Sequence, residues 1–182
     1  LAPVSAPELG AIAIREGLER AGVSPDDVDE VIMGNILSGG VGQAPARQAA
    51  LKAGLPPSVA AVTVNKMCGS GLKAVMLADQ AIRCGDAELI VAGGMESMSR
   101  APHLILGARE GWKFGDQTVR DHMLIDGLWC SFYDCIMGAQ ADYIATSRAA
   151  SREDQDAFAA ESHRRAAAAI ESGTFDAEIV PV

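Results

Sequence analysis

Cys68 lies in a stretch, Val62-Thr-Val-Asn-Lys-Met-Cys68-Gly-Ser-Gly71-Leu-Lys-Ala-Val, whose residue types change around it. Residues 60–65 are small or β-branched and carry no charge, the composition of a buried strand. Gly69, Ser70 and Gly71 supply backbone freedom and a capping hydroxyl. From Leu72 the apolar residues fall at helical spacing, through Val75, Met76 and Ile82. The pattern predicts a strand, a tight turn and a helix, with Cys68 at the handover. Exposed N–H groups and the positive end of the helix dipole favour a thiolate there. A thiolate on a sharp turn is a competent nucleophile for acyl transfer. Position alone leaves a second reading open, because free cysteine often serves as a small buried hydrophobe. The glycines would then serve only the close approach of helix to strand.

The elements that must position this turn follow from the same kind of reading. A helix is expected from Pro7-Glu8 to about Ala21, with Ala11, Ile14, Leu18 and Ala21 inward and Gly22 as its stop. A strand is expected over Val28–Leu37, then a flexible Ser38-Gly-Gly-Val-Gly-Gln loop, then a helix over Pro45–Ala53. After the Cys68 segment the helix ends near Cys84-Gly85, and Ala87-Glu-Leu-Ile-Val-Ala forms the next strand before Gly93-Gly94. Alternating helices and strands imply an α/β fold with a largely parallel sheet covered by helices. Ligands in such sheets sit beyond the carboxyl ends of the strands, so one site can hold both Cys68 and Gly93-Gly94.

Beyond Ser97 the character changes. Residues 100–126 read as an irregular excursion with room for one hairpin, and Leu128–Met137 concentrates Trp, Phe, Tyr, Cys and Met. A helix is expected over Gly138–Ala150. Another starts at the capping-box-like Ser151-Arg-Glu-Asp and runs to about Glu171. On it Phe158, Ser162 and Ile170 lie near one face, while Arg152, Glu153, Arg164 and Arg165 read as solvated surface.

Composition narrows the function. The 182 residues are 49% hydrophobic and 21% charged, as in an ordinary globular protein. A net charge of −9 leaves no footprint for nucleic acid, although a local site can still take an anionic ligand. No apolar run approaches the ~18–20 residues of a membrane span. Leu1–Leu9 has neither the basic start nor the apolar block of a signal peptide, and a reduced cytoplasm is the expected setting. The cysteines at 68, 84, 130 and 135 form no CxxC pair, and His103, His122 and His163 lack zinc-like spacing with them, so no metal site is expected. Cys130 and Cys135 stand open between a pair and two core thiols.

The segment Asn65-Lys-Met-Cys68-Gly-Ser-Gly71-Leu-Lys-Ala closely resembles the active-site segment of thiolases. Four further stretches share the resemblance: Gly42-Gln-Ala-Pro-Ala-Arg-Gln-Ala-Ala, Val91-Ala-Gly-Gly-Met-Glu-Ser-Met-Ser, Ser151-Arg-Glu-Asp-Gln-Asp-Ala-Phe and Glu178-Ile-Val-Pro. Asp126-Gly-Leu128, Phe132-Tyr133 and Met137-Gly138 resemble the family's loop over the acyl site. The biosynthetic acetyl-CoA acetyltransferase subgroup is the nearest in these motifs, with degradative 3-ketoacyl-CoA thiolases next.

The resemblance implies the N-terminal half of a layered αβαβα architecture with a mixed sheet. Residues 1–97 would form its α/β domain without the family's opening strand, and 98–182 an incomplete, irregular and mainly helical loop domain. Cys68 would attack a thioester carbonyl, with its own backbone N–H serving an oxyanion hole. Leu128 and Met137 would touch the acyl group and the pantetheine. Substrates would be acetyl-CoA or a 3-ketoacyl-CoA, with no separate cofactor, and the enzyme would be a homodimer or tetramer. Many biosynthetic relatives carry His where Ile136 stands here, which leaves acyl chain length open. The family's activating Gly-His-Pro histidine, its Asn-Glu-Ala-Phe segment and its second catalytic cysteine are not found in these residues. They are expected on further chain or on a second polypeptide. A non-catalytic half that needs a partner chain is the competing expectation.

Overall fold

A computed structural model describes residues 1–182. The chain divides into two compact units, Leu1–Gly127 together with Val182, and Leu128–Pro181.

The first unit is built on three parallel strands, β1 (Glu30–Gly34), β2 (Ala60–Val64) and β3 (Ile90–Gly94), in the order β2-β1-β3. Three helices flank them, α1 (Ala6–Ala21), α2 (Pro45–Ala53) and α3 (Ser70–Cys84). The α/β class and the parallel sheet are those expected. The central strand shows why the unit has two cores. Val31 and Met33 point to one face, where they join Ile14 and Leu18 of α1 and the alanines of α2. Ile32 points to the other face and meets Ala74 and Ala78 of α3.

Local chemistry sets the helix ends. Ser5 and Glu8 form a capping box at the start of α1, and Gly22, at φ 66°, closes it. The Ser5 hydroxyl and N–H hold the Glu8 carboxyl below the usual carboxylate range. Pro45 opens α2 and Gly54, at φ 97°, ends it. The Thr63 hydroxyl of β2 accepts the Ala46 N–H, which ties the start of α2 to the sheet. Gly10 lets α1 lie against its neighbours: a Cβ there would stand 2.6 Å from Met95 Sδ and 3.3 Å from Ala49 Cβ.

Several expectations are corrected. β2 is an outer strand with residues only half-buried or exposed, not a buried one. Ala21 is exposed and Gly10 is buried, so the inward stripe of α1 begins one turn earlier than expected. α3 keeps the expected helical spacing, and the structure adds which face turns inward. Its sheet-facing residues are the small Ser70, Ala74 and Ala78, while Leu72, Val75, Met76 and Ile82 are exposed. The loop region keeps two short antiparallel strands, β4 (His103–Ile105) and β5 (Val119–Asp121), the hairpin expected there.

The second unit contains a two-residue antiparallel ribbon, β6 (Trp129–Cys130) and β7 (Cys135–Ile136), followed by α4 (Met137–Ser147) and α5 (Arg152–Glu171). Ser151 caps α5 by accepting the Asp154 N–H at 3.0 Å. Glu161 pairs with Arg164 and Arg165, whose hydrogen bonds hold its carboxyl below the usual range. Phe158, Ser162 and Ile170 are exposed alongside these charges. No helix is long and apolar enough to cross a membrane.

Candidate active site

Cys68 is presented by an elbow that its neighbours hold shut. The Asn65 side chain accepts the Met67 N–H at 3.0 Å, turning the chain as β2 ends. Met67 then takes a left-handed conformation, φ 50°, which a non-glycine residue adopts at some energetic cost. Ser70 fastens this turn from within. Its hydroxyl accepts the Lys66 N–H at 2.9 Å and donates to the Met67 carbonyl at 2.5 Å. Gly69, not Ser70, is the N-cap of α3, and no side chain caps the helix. Cys68 therefore stands one residue before the cap, exposed, while the next two N–H groups are spent inside the turn, Gly69 donating to the Lys66 carbonyl at 3.1 Å and Ser70 to the Met67 carbonyl at 3.0 Å.

The elbow rests directly on the strand ends. A Cβ on Gly34 would lie 2.7 Å from the Gly71 nitrogen and from the Ser70 carbonyl carbon, both backbone atoms. Gly94 also approaches the elbow, but less tightly, its Cβ position being 3.4 Å from Gly71 Cα. Close approach is thus imposed at Gly34 on the strand, whereas Cβ atoms on the turn's own Gly69 and Gly71 would meet nothing nearer than 3.5 and 3.7 Å.

Cys68 opens into a cavity of about 270 Å³ walled by Met67, Ser70 and Gly71 of the elbow, by Gly34, Asn35 and Ile36 after β1, and by Gly94, Met95 and Glu96 after β3. The site sits at the carboxyl ends of the strands and brings Cys68 and the glycine-ended β3 together, as expected. Glu96 stitches its two far walls. Its carboxylate accepts the Ile36 N–H at 2.8 Å, the Leu37 N–H at 3.2 Å and the Asn35 side-chain amide at 2.8 Å. That amide also donates to the Met95 carbonyl. The Asn35 side-chain oxygen is buried with no partner, an acceptor left over in the wall of the cavity. Asn35 and Glu96 carried no expected role. A lone carboxylate directly after an apolar strand was the signal for Glu96.

Leu128 and Met137 belong to the second unit. The ribbon pairs Trp129 with Ile136 and Cys130 with Cys135; Leu128 immediately precedes it and Met137, the first residue of α4, immediately follows it. Leu128 is half-buried and Met137 exposed. None of the three histidines walls the Cys68 cavity. His122 is buried and committed elsewhere: its Nε2 accepts the Gly39 N–H at 3.2 Å and its Nδ1 lies 2.6 Å from an Asp126 carboxylate oxygen. No group of side chains capable of holding a metal ion is present.

Comparison with known proteins bears on this architecture. The family model described as "Thiolase, N-terminal domain" matches residues 1–182. An acetyl-CoA acetyltransferase of Cupriavidus necator is 56% identical over 182 residues, covering 100% of this chain and 46% of that protein. One from Pseudomonas aeruginosa is also 56% identical, with the same coverage. A probable acetyl-CoA acetyltransferase of Escherichia coli is 50% identical, again over 46% of its length. The chain thus spans just under half the length of the curated relatives it matches. With all of its own length accounted for, at these identities and with an exposed cysteine on the elbow, the chain belongs to the thiolase family.

Proposed function

We propose that Cys68 is the nucleophile of an acyl transfer between coenzyme A thioesters. The observation that carries this is the exposed thiol on a braced strand-to-helix elbow, facing a cavity at the carboxyl ends of the strands. The thiolate attacks a thioester carbonyl, coenzyme A leaves as its thiol, and the acyl group rests on Cys68. The Cys68 N–H and the first turn of α3 face the charge that develops on the carbonyl oxygen. In the synthetic direction the carbanion of a second acetyl-CoA attacks the acyl-cysteine to give acetoacetyl-CoA, and thiolysis is the reverse. Coenzyme A thioesters are the substrates, and no further cofactor enters. Leu128 and Met137 contact the acyl and pantetheine portions. Thiolysis of longer 3-ketoacyl-CoA substrates is the second reading, kept by one residue, the apolar Ile136 where many biosynthetic thiolases carry His.

General acid and base groups typically contribute ~10²–10⁴-fold each, and none of this chain's histidines walls the Cys68 cavity, so full turnover is expected to draw such groups from further chain or from a second polypeptide. The acylation half-reaction is therefore the direct test. The full-length protein is incubated with acetoacetyl-CoA, digested and weighed peptide by peptide. An acetyl group on the Cys68 peptide, absent from Cys68→Ser, is the expected result. A bare Cys68 in a full-length, folded protein would leave an assembly role in its place.

A further inference from the structure

The β6–β7 ribbon holds two thiols that the acyl-transfer reading does not use. Cys130 and Cys135 are paired residues of an antiparallel ladder, both free and both half-buried. Directly opposed residues of such a ladder have Cα atoms about 4.5 or 5.5 Å apart, according to whether the pair exchanges hydrogen bonds. Both separations lie inside the window of about 4.4–6.8 Å that disulfides span.

The loop between them is closed before any bond forms. Asp134 turns it with φ 50°, and the Trp129 indole N–H donates to the Asp134 carboxylate at 2.9 Å across its base. Cys135 also lines a cavity of about 570 Å³ with Tyr133, Ala139, Gln140, Tyr143 and Ile144, and Cys130, outside that cavity, is itself only half-buried and so within reach of a small oxidant.

We propose that Cys130 and Cys135 are a reversible dithiol–disulfide pair that locks the β6–β7 ribbon and responds to small hydroperoxides. Cys130 is the attacking member. Hydrogen bonds from the Tyr133 and Phe132 N–H groups, with the Gln140 side chain adding to them, draw its thiol below the ordinary cysteine range. Its thiolate attacks the peroxide oxygen, the O–O bond breaks, and hydroxide or alkoxide leaves with a cysteine sulfenic acid remaining. The Cys135 sulfur then attacks the sulfenic sulfur, the S–O bond breaks and water leaves. Two thiols have lost two electrons and the hydroperoxide has gained them. A low-molecular-weight thiol restores the dithiol by exchange. Leu128 and Met137 flank the open end of the ribbon, so the lock fixes their separation. That consequence rests on the function proposed above, whereas the thiol chemistry does not.

The test reads the thiols themselves. The full-length protein, as Cys68→Ser to remove competition from the elbow, is treated with hydrogen peroxide, alkylated and cut with trypsin. Residues 121–148 emerge as one peptide holding both cysteines, with no internal Lys or Arg. The expected product is that peptide lighter by two hydrogens and without alkyl groups, with both alkylation sites regained after dithiothreitol. With Cys135→Ser, a sulfenic-acid trap should label Cys130. Two alkylated cysteines under conditions that oxidise the exposed Cys84 would overturn the proposal. So would sulfinic or sulfonic acid on Cys130 with no disulfide formed.

Discussion

Gly34 is where the position of Cys68 is decided, although it lies 34 residues before it in the chain. It ends β1 beneath the first turn of α3, and no side chain fits there. An alanine Cβ would lie 2.7 Å from backbone atoms of Ser70 and Gly71, which cannot swing aside as a flexible side chain would. Gly93, one strand over, differs in a useful way: its nearest neighbour would be Met33 Sδ at 3.7 Å, an ordinary contact. Gly34→Ala should therefore cost about 1–3 kcal/mol by overpacking, and it should slow acylation of Cys68 by shifting the elbow. Gly93→Ala should stay within about 0.5 kcal/mol. Urea unfolding of both variants in the full-length protein measures the contrast, and equal losses would refute the close-approach account. The elbow itself was legible because its residue types change within ten positions. The brace behind it was not: Asn35 and Glu96 meet across 61 residues of sequence, and no local pattern reports that. Ser70 was visible as a capping type, but its hydroxyl faces back into the turn, to Lys66 and Met67, rather than along the helix.

Among the elements, α2 and α3 mark the two ends of legibility. The bounds of α2 follow from Pro45 and Gly54, residues with one conformational use each, and the structure keeps both. In α3 the period was clear but the face was not. Leu72, Val75, Met76 and Ile82 repeat at helical spacing, and so do Ser70, Ala74 and Ala78 on the opposite side. The sheet takes the small residues because Gly34, Gly71 and Gly94 bring backbone against backbone, where a leucine would not fit. A helix apolar on both faces is one built to be covered on both, and this chain spans 46% of its relatives' length. In a protein of that full length the outward face of α3 should be interior. Leu72, 69% exposed here, is the discriminating residue. Leu72→Ala in the full-length protein should cost about 2–5 kcal/mol, as for a buried leucine. A change within about 0.5 kcal/mol in urea unfolding would show that the face stays in water.

At the scale of the whole molecule the open question is how the sheet ends. β2 is outermost, so one row of its N–H and C=O groups is unpaired, and Val62 is 40% exposed beside it. An edge of this kind carries no Pro or Lys, the devices that commonly discourage strand pairing. Two copies related by a twofold axis would satisfy the row by joining their β2 strands, which would extend one sheet through both subunits and place the two elbows on the same assembly. Such pairing would give the homodimer or tetramer expected from the family resemblance a contact to form through. Val62→Lys sets a charge at that edge without entering either core, since Val62 belongs to neither cluster of packed residues. Sedimentation equilibrium of the full-length protein should show a dimer or tetramer for the parent. Val62→Lys should shift it toward monomer, with an unchanged circular dichroism spectrum. A parent that is monomeric at micromolar concentration, or a Val62→Lys variant that assembles as tightly as the parent, would rule out β2 as the contact.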